Sequence, residues 1–164
     1  MYHSETLLLE DGRVLISGSV PNADANALNV VYPNEKRLEV FVPGYLTSGL
    51  ARPSFNLQVF DWAHGQNIAL SAMIPSGTLA RIKAVLHTNG FVTHSTHQGQ
   101  RLVELNLVAR RIAGTRFSVT VQAPPTPEIL PPGWYMLFLL DGPTPSVATW
   151  VRVGGDPAGF ANWP

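Results

Sequence analysis

Short runs of alternating apolar and polar side chains fill most of the chain, and no stretch keeps a helical period over a useful length. Alternation puts one face in a core and the other in water, so each run predicts a half-buried strand. Phe117, Val119 and Val121 alternate with Ser118, Thr120 and Gln122, and Val103, Leu105 and Leu107 with Leu102, Glu104 and Asn106. Strands are predicted over residues 54–60, 67–73, 81–87, 102–109, 116–123, 134–141 and 146–153. Seven short strands over about 100 residues, with turns between them, fit an antiparallel β-sandwich of immunoglobulin type. Tyr135 follows Pro131-Pro132-Gly133, where such sandwiches often carry a corner tyrosine; an ordinary core aromatic is the equal alternative. Tyr135 and Phe138 are both expected to face inward.

Ahead of this region, Leu7, Leu8 and Leu9 lead to Asp11-Gly12, and Val14, Leu15 and Ile16 follow. Asp-Gly tolerates the positive φ angles of a two-residue turn, so residues 5–18 predict a β-hairpin. Residues 19–36 are polar, with Pro21, Asn22, Asn26 and Pro33, and read as a loop. Residues 37–42 read as a strand that ends at Pro43. The chain divides by expectation into residues 1–42, a strand set belonging to something else, residues 43–155, a self-contained sandwich, and a tail over 156–164.

Composition narrows the function classes. Eleven basic and eleven acidic residues cancel, so no electrostatic footprint for nucleic acid or an anionic membrane is present. No apolar run is long enough to span a bilayer. The 164 residues include no cysteine, which removes disulfides, thiolate metal sites and cysteine nucleophiles. Charged residues are only 13% of the chain, a sparse share that predicts surface covered by a partner domain or chain. No basic stretch followed by an apolar one opens the sequence, so no signal peptide is expected within it.

Two places could carry chemistry. The chain opens Met1-Tyr2-His3-Ser4, and a Gly-bounded loop over 90–101 carries His94 and His97. Imidazole is the commonest side-chain metal ligand, and imidazole with phenolate suits Cu(II), which favours nitrogen and oxygen donors. Spacing alone fixes no site. His94 and His97 lie three apart in a loop, and the adjacent Tyr2 and His3 would point to opposite faces of a regular strand. His64 and His87 read as structural, and Asp61, Glu104 and Asp141 form no paired-carboxylate pattern. Trp134 and Trp150 read as core aromatics, and packing is the preferred reading for Trp62 and Trp163 as well.

Several segments together resemble the C-terminal part of the glyoxal oxidase and galactose oxidase family of copper radical oxidases. Tyr2-His3-Ser4 followed by TLLLEDGRVLISGS (6–19) resembles the last blade of the family's kelch propeller. SGSVPN (17–22) and YPNEKRLEVFVPGYL (32–46) are closer to the glyoxal oxidase branch. THSTHQGQR (93–101) resembles the loop by which the C-terminal early-set immunoglobulin-like domain brings a copper-binding His to the propeller. The segment 131–155 resembles the end of that domain.

The resemblance implies a mononuclear copper site to which Tyr2 contributes the axial tyrosine, His3 the first histidine and His94 the second. Tyr2 is then also the base that takes the substrate hydroxyl proton. The family's cross-linked Cys–Tyr radical cofactor has no counterpart in a chain without cysteine. His97 stands where the family usually has an amide or small polar residue, and is read as neutral. A parent oxidase would act on aldehydes or primary alcohols with O₂, giving H₂O₂, and would be extracellular. This chain is then expected to be inactive alone. Its expected partner is the remaining propeller portion or another chain, with self-association through the hairpin as a further possibility. The alternative is a stand-alone immunoglobulin-like binding or interaction module without catalysis.

Overall fold

The computed structural model describes residues 3–24, 30–94 and 96–160. The sequence-predicted ligand Tyr2, the loop residue Asn26 and Trp163 of the tail lie outside the described residues.

The first three strands form a sheet of their own. β1 (Glu5–Leu8) pairs with β2 (Val14–Ser19), and β2 pairs with β3 (Glu35–Phe41), all antiparallel. The turn between β1 and β2 is longer than the expected two residues. The Leu9 N–H donates to the Arg13 carbonyl at 2.8 Å, and the Gly12 N–H donates to the Leu9 carbonyl at 2.9 Å. Three residues therefore bridge the strands, and Gly12 takes the left-handed position with φ 88°. This is the three-residue hairpin in which a glycine closes the turn, not the primed two-residue turn.

After a single helical turn, α1 (Gly44–Thr47), the chain enters the sandwich with β4 (Ser54–Leu57), β5 (Asp61–Trp62), β6 (Asn67–Met73) and β7 (Ile82–Thr88). A small hairpin follows, β8 (Phe91–Thr93) and β9 (Thr96–Gln98). Then come β10 (Arg101–Glu104), β11 (Leu107–Ala113), β12 (Arg116–Gln122), β13 (Gly133–Asp141), β14 (Thr144–Pro145) and β15 (Thr149–Val153). One sheet runs β10-β7-β13-β15-β5 with β14 beside β13, and the facing sheet runs β11-β12-β6-β4. The pairings are antiparallel except for β15 with β5. The architecture is the all-β, immunoglobulin-like sandwich expected from the alternation.

The strand expected over 102–109 is two strands. The chain leaves β7 after Glu104 and joins β12 from Leu107, crossing from one sheet to the other. The crossing is secured by the Leu105 N–H on the Ala84 carbonyl and by the Gln122 N–H on the Asn106 carbonyl, each at 2.9 Å. Leu105 is buried at the crossing, between the half-buried Val103 and Leu107. The inward alternation therefore runs unbroken through the switch and conceals it. β8 and β9 lie in a segment expected to be loop.

Between the sheets lies a core that includes Leu70, Phe117, Val119, Leu137, Leu139 and Val151, each essentially sealed from water. Burial of each such side chain stabilises the fold by roughly 1.5–3 kcal/mol. Tyr135 belongs to this core, and its hydroxyl donates to the Pro131 carbonyl at 2.5 Å, which is the corner-tyrosine arrangement. Phe138 does not belong to it. Consecutive strand residues face opposite ways. Phe138 and Met136 therefore turn to the outer face of β13, where they pack with Val85, Ala148 and Leu8. That second cluster fastens the first sheet to the sandwich. Trp62 is buried, with its indole N–H on the Val59 carbonyl, whereas Trp134 and Trp150 are exposed rather than core residues. Trp134 carries the Arg152 guanidinium 5.5 Å from its ring centroid, and Trp150 donates to the Glu10 carboxylate. Among the described residues, no helix is long and apolar enough to cross a membrane.

Candidate metal centre

His94, which follows β8 at the turn of the small hairpin β8–β9, has φ 51°. Two-residue hairpin turns of either primed type require a positive φ at their first central residue. Histidine reaches this region more readily than most residues with a Cβ, but still at a cost. Gly90 permits the base of the hairpin to close. A Cβ there would stand 1.9 Å from the Gln98 carbonyl oxygen and 2.8 Å from the Gln100 nitrogen.

His3 precedes β1 and has φ 55°. Among the described residues, His3 and His94 are the only non-glycine residues with a positive φ. They also meet. Their ring centroids stand 5.5 Å apart, edge to face at 85°, although 91 positions separate them in the sequence (94 − 3). Both side chains are exposed. The left-handed backbone at His3 departs from a regular strand, the condition under which Tyr2 and His3 could serve one ion.

Two side chains join the strands that carry these histidines. Asn89 matches the peptide group of Leu8: its amide donates to the Leu8 carbonyl at 2.9 Å, and its carbonyl accepts from the Leu8 N–H at 3.1 Å. The Glu5 carboxylate accepts from the Val92 N–H at 2.9 Å. Neither residue belongs to a recognisable motif, and nothing in the local pattern marks them.

The donor set fits copper. A metal–nitrogen bond of about 2 Å from each ring places the centroids of two ligating imidazoles roughly 4–6 Å apart, and the observed 5.5 Å lies in that range. Two imidazoles, with a phenol adjacent in sequence to one of them, make a nitrogen and oxygen set of the kind Cu(II) prefers. Among the described residues, no group of three or more His, Cys, Asp or Glu side chains gathers at one point.

The other histidines are placed differently. His64 Nε2 lies 2.8 Å from the Leu130 carbonyl, a structural contact. His87 lies on the outer face of β7 and lines a small apolar cavity of about 170 Å³ with Leu8, Tyr45, Val85 and Phe138. Burial holds the His87 pKa below its ordinary value, and the nearby His97 lowers it further. The Nδ1 atoms of His87 and His97 are both buried without a hydrogen-bond partner among the described residues. Of the acidic candidates, Asp141 accepts from the backbone N–H and hydroxyl of Ser76 and pairs with Arg81, Asp61 pairs with Arg152, and Glu104 pairs with Lys83. All three are occupied structurally.

The chain is 43% identical over its whole length to a "WSC domain-containing protein" of Arthroderma benhamiae, of which it covers 16%. Over 93% of its length it is 37% identical to "Aldehyde oxidase GLOX" of Vitis pseudoreticulata, covering 30% of that protein. Over the same share it is 30% identical to "Galactose oxidase" of Gibberella zeae, covering 21%. The chain thus spans less than a third of the length of these relatives. Residues 52–153, the span of the sandwich from its entry to the end of β15, match the family described as "Galactose oxidase-like, Early set domain", and the chain belongs to that family.

Proposed function

We propose that the chain is the C-terminal portion of a glyoxal oxidase-like copper radical oxidase, and that Tyr2, His3 and His94 are its contribution to the copper site. The observation that carries this reading is the meeting of His3 and His94, each held in a left-handed backbone conformation. Strained backbone at residues with a Cβ persists where the surrounding structure enforces it, and such positions cluster at functional sites. Similarity to an aldehyde oxidase and to a galactose oxidase supports the same reading.

The parent reaction would be oxidation of an aldehyde or primary alcohol by O₂. For an alcohol, RCH₂OH and O₂ give RCHO and H₂O₂. Bound copper supplies one-electron redox chemistry at this site. The Tyr2 phenolate oxygen would take the substrate hydroxyl proton, and the two imidazoles would hold the site in place. The Cys–Tyr radical cofactor would have to come from outside a chain that lacks cysteine, so the isolated chain is inactive in this reading.

The missing partner is the remaining propeller portion of the parent. Residues 1–42 are then the last part of a kelch blade, 43–155 the C-terminal domain and 156–164 a tail. β3 supports this reading. Among the described residues it has a neighbour on one side only, and it exposes Leu38, Val40 and Phe41. An unpaired apolar edge of this kind recruits another strand. The parent would act outside the cell.

The test is a Cu(II) titration followed by electron paramagnetic resonance on the chain and on His3→Ala and His94→Ala. A defined tetragonal signal that both substitutions abolish is expected. A tight site that neither substitution alters, or no uptake of copper above that of an ordinary surface histidine, sinks the assignment and favours the stand-alone binding module.

A further inference from the structure

We infer that Glu5 and Asn89 are positioning residues that set the approach of His3 to His94. The inference rests on the copper reading only for the purpose of that approach; the positioning itself is a property of the metal-free chain.

Neither histidine lies on a strand of the sandwich. His3 lies just before a three-stranded sheet, and His94 lies at the turn of a two-stranded hairpin that belongs to neither sandwich sheet. Left to those strands alone, each imidazole would be placed by a small, separately mobile element. The structure joins the two elements through side chains. β1 has β2 along one edge, and at the end of its other edge the Leu8 peptide group would be unpaired. Asn89 fills that place with both halves of its amide, and so acts as a one-residue strand.

Three residues beyond Asn89, the Val92 N–H donates to one oxygen of Glu5, while the other oxygen accepts from the Thr6 N–H at 3.2 Å. The carboxylate therefore ties the hairpin to β1 at a second point. His3 is two residues before Glu5, and His94 is two residues after Val92. With both ties in place, the distance between the rings depends on a few backbone torsions and on the side-chain torsions of the two histidines. Outer partners that hold ligands in place typically change metal affinity 10- to 100-fold when removed.

The experiment uses the full chain and reads the ring positions without metal. Selectively labelled histidines give a nuclear Overhauser cross-peak between the His3 and His94 ring protons. The cross-peak is expected in the wild type and in Glu5→Gln, which keeps an acceptor for the Val92 N–H. It should disappear in Glu5→Ala and in Asn89→Asp, which cannot donate to the Leu8 carbonyl. Cross-strand peaks between β12 and β6 report that the sandwich remains folded. If Glu5→Ala does not fold, Asn89→Asp, of equal size, decides the matter.

In the copper titration, Glu5→Ala and Asn89→Asp should bind about tenfold more weakly, with Glu5→Gln close to wild type. An unchanged cross-peak in Asn89→Asp and Glu5→Ala, or none in the wild type, overturns the inference. The expected cross-peaks in a chain that takes up no copper uphold the positioning and sink the copper reading instead.

Discussion

The guanidinium of Arg52 donates to the main-chain carbonyl of Asp11 at 2.8 Å, reaching from the entrance of the sandwich to the turn of the first hairpin. Its other nitrogens donate to the carbonyls of Pro145 at 2.8 Å and Ser146 at 2.7 Å. One side chain thus joins the turn of the first sheet to the end of β14 and the connection that follows it. Hydrogen bonds that involve a charged group contribute about 1.5–3 kcal/mol each. Arg52→Ala should lower stability by about 2–4 kcal/mol, less than a full sum because water reaches part of the site. Hydrogen exchange should show the amides of β1 and β2 opening before those of β12. Arg52→Lys should recover little, since an ammonium cannot match the planar fork. Coincident opening of both sheets in Arg52→Ala would refute this account.

Gly90 is held by contact, not by a positive φ. Any side chain there meets the Gln98 carbonyl. Gly90→Ala should therefore displace β8 from β9 and cost about 1–3 kcal/mol, the usual range for overpacking. Denaturant titration gives the cost, and backbone chemical shifts should move in residues 91–98 and little in the sandwich core.

The Tyr135 hydroxyl tests the corner. Tyr135→Phe keeps the ring in the core and removes only the bond to the Pro131 carbonyl. A loss of about 1 kcal/mol is expected, with no change in the pairing of β13. Thermal and chemical denaturation would measure it.

His87 gives the stability a pH dependence. Its folded pKa is depressed below the ordinary value of 6.5, first by burial and then by His97. A depressed pKa means that the unfolded chain binds the proton more readily, so stability rises with pH through this region. The contribution is present above about pH 6.5, the unfolded value, and is lost as pH falls toward the folded pKa. Replacing the imidazole in His87→Leu should flatten this slope between neutral and mildly acidic pH. A wild-type midpoint constant from pH 7.5 down to 5 would contradict the assignment.

The sandwich was readable because its strongest strands alternate strictly. Asn67–Met73 matches its predicted span, and Arg116–Gln122 matches to within one residue. The switch of sheets at Leu105 was not readable, since the inward positions continue in phase on both sides of it. Phe138 shows a related limit. Alternation says which residues share a face, but a strand buried on both faces does not say which face meets the facing sheet.

The hairpin of β8 and β9 was hidden because the sequence has no glycine or asparagine between Thr93 and Thr96. The candidate ligands His3 and His94 could be named only through resemblance. Their meeting depends on Asn89 and Glu5, whose partners are backbone groups far along the chain. Contacts of that kind leave no periodic trace.

The left-handed backbone at His3 and His94 also predicts how the fold would drift under selection. Glycine or asparagine accepts these torsions at lower cost than histidine does. Variants chosen only for thermal resistance should therefore lose the imidazoles first, becoming hardier as they lose them. Persistence of histidine at both positions across a mutational library screened for folding alone would mean that the residues serve the scaffold. Their replacement would mean that the chain carries them as a standing thermodynamic burden for the sake of the chemistry they face.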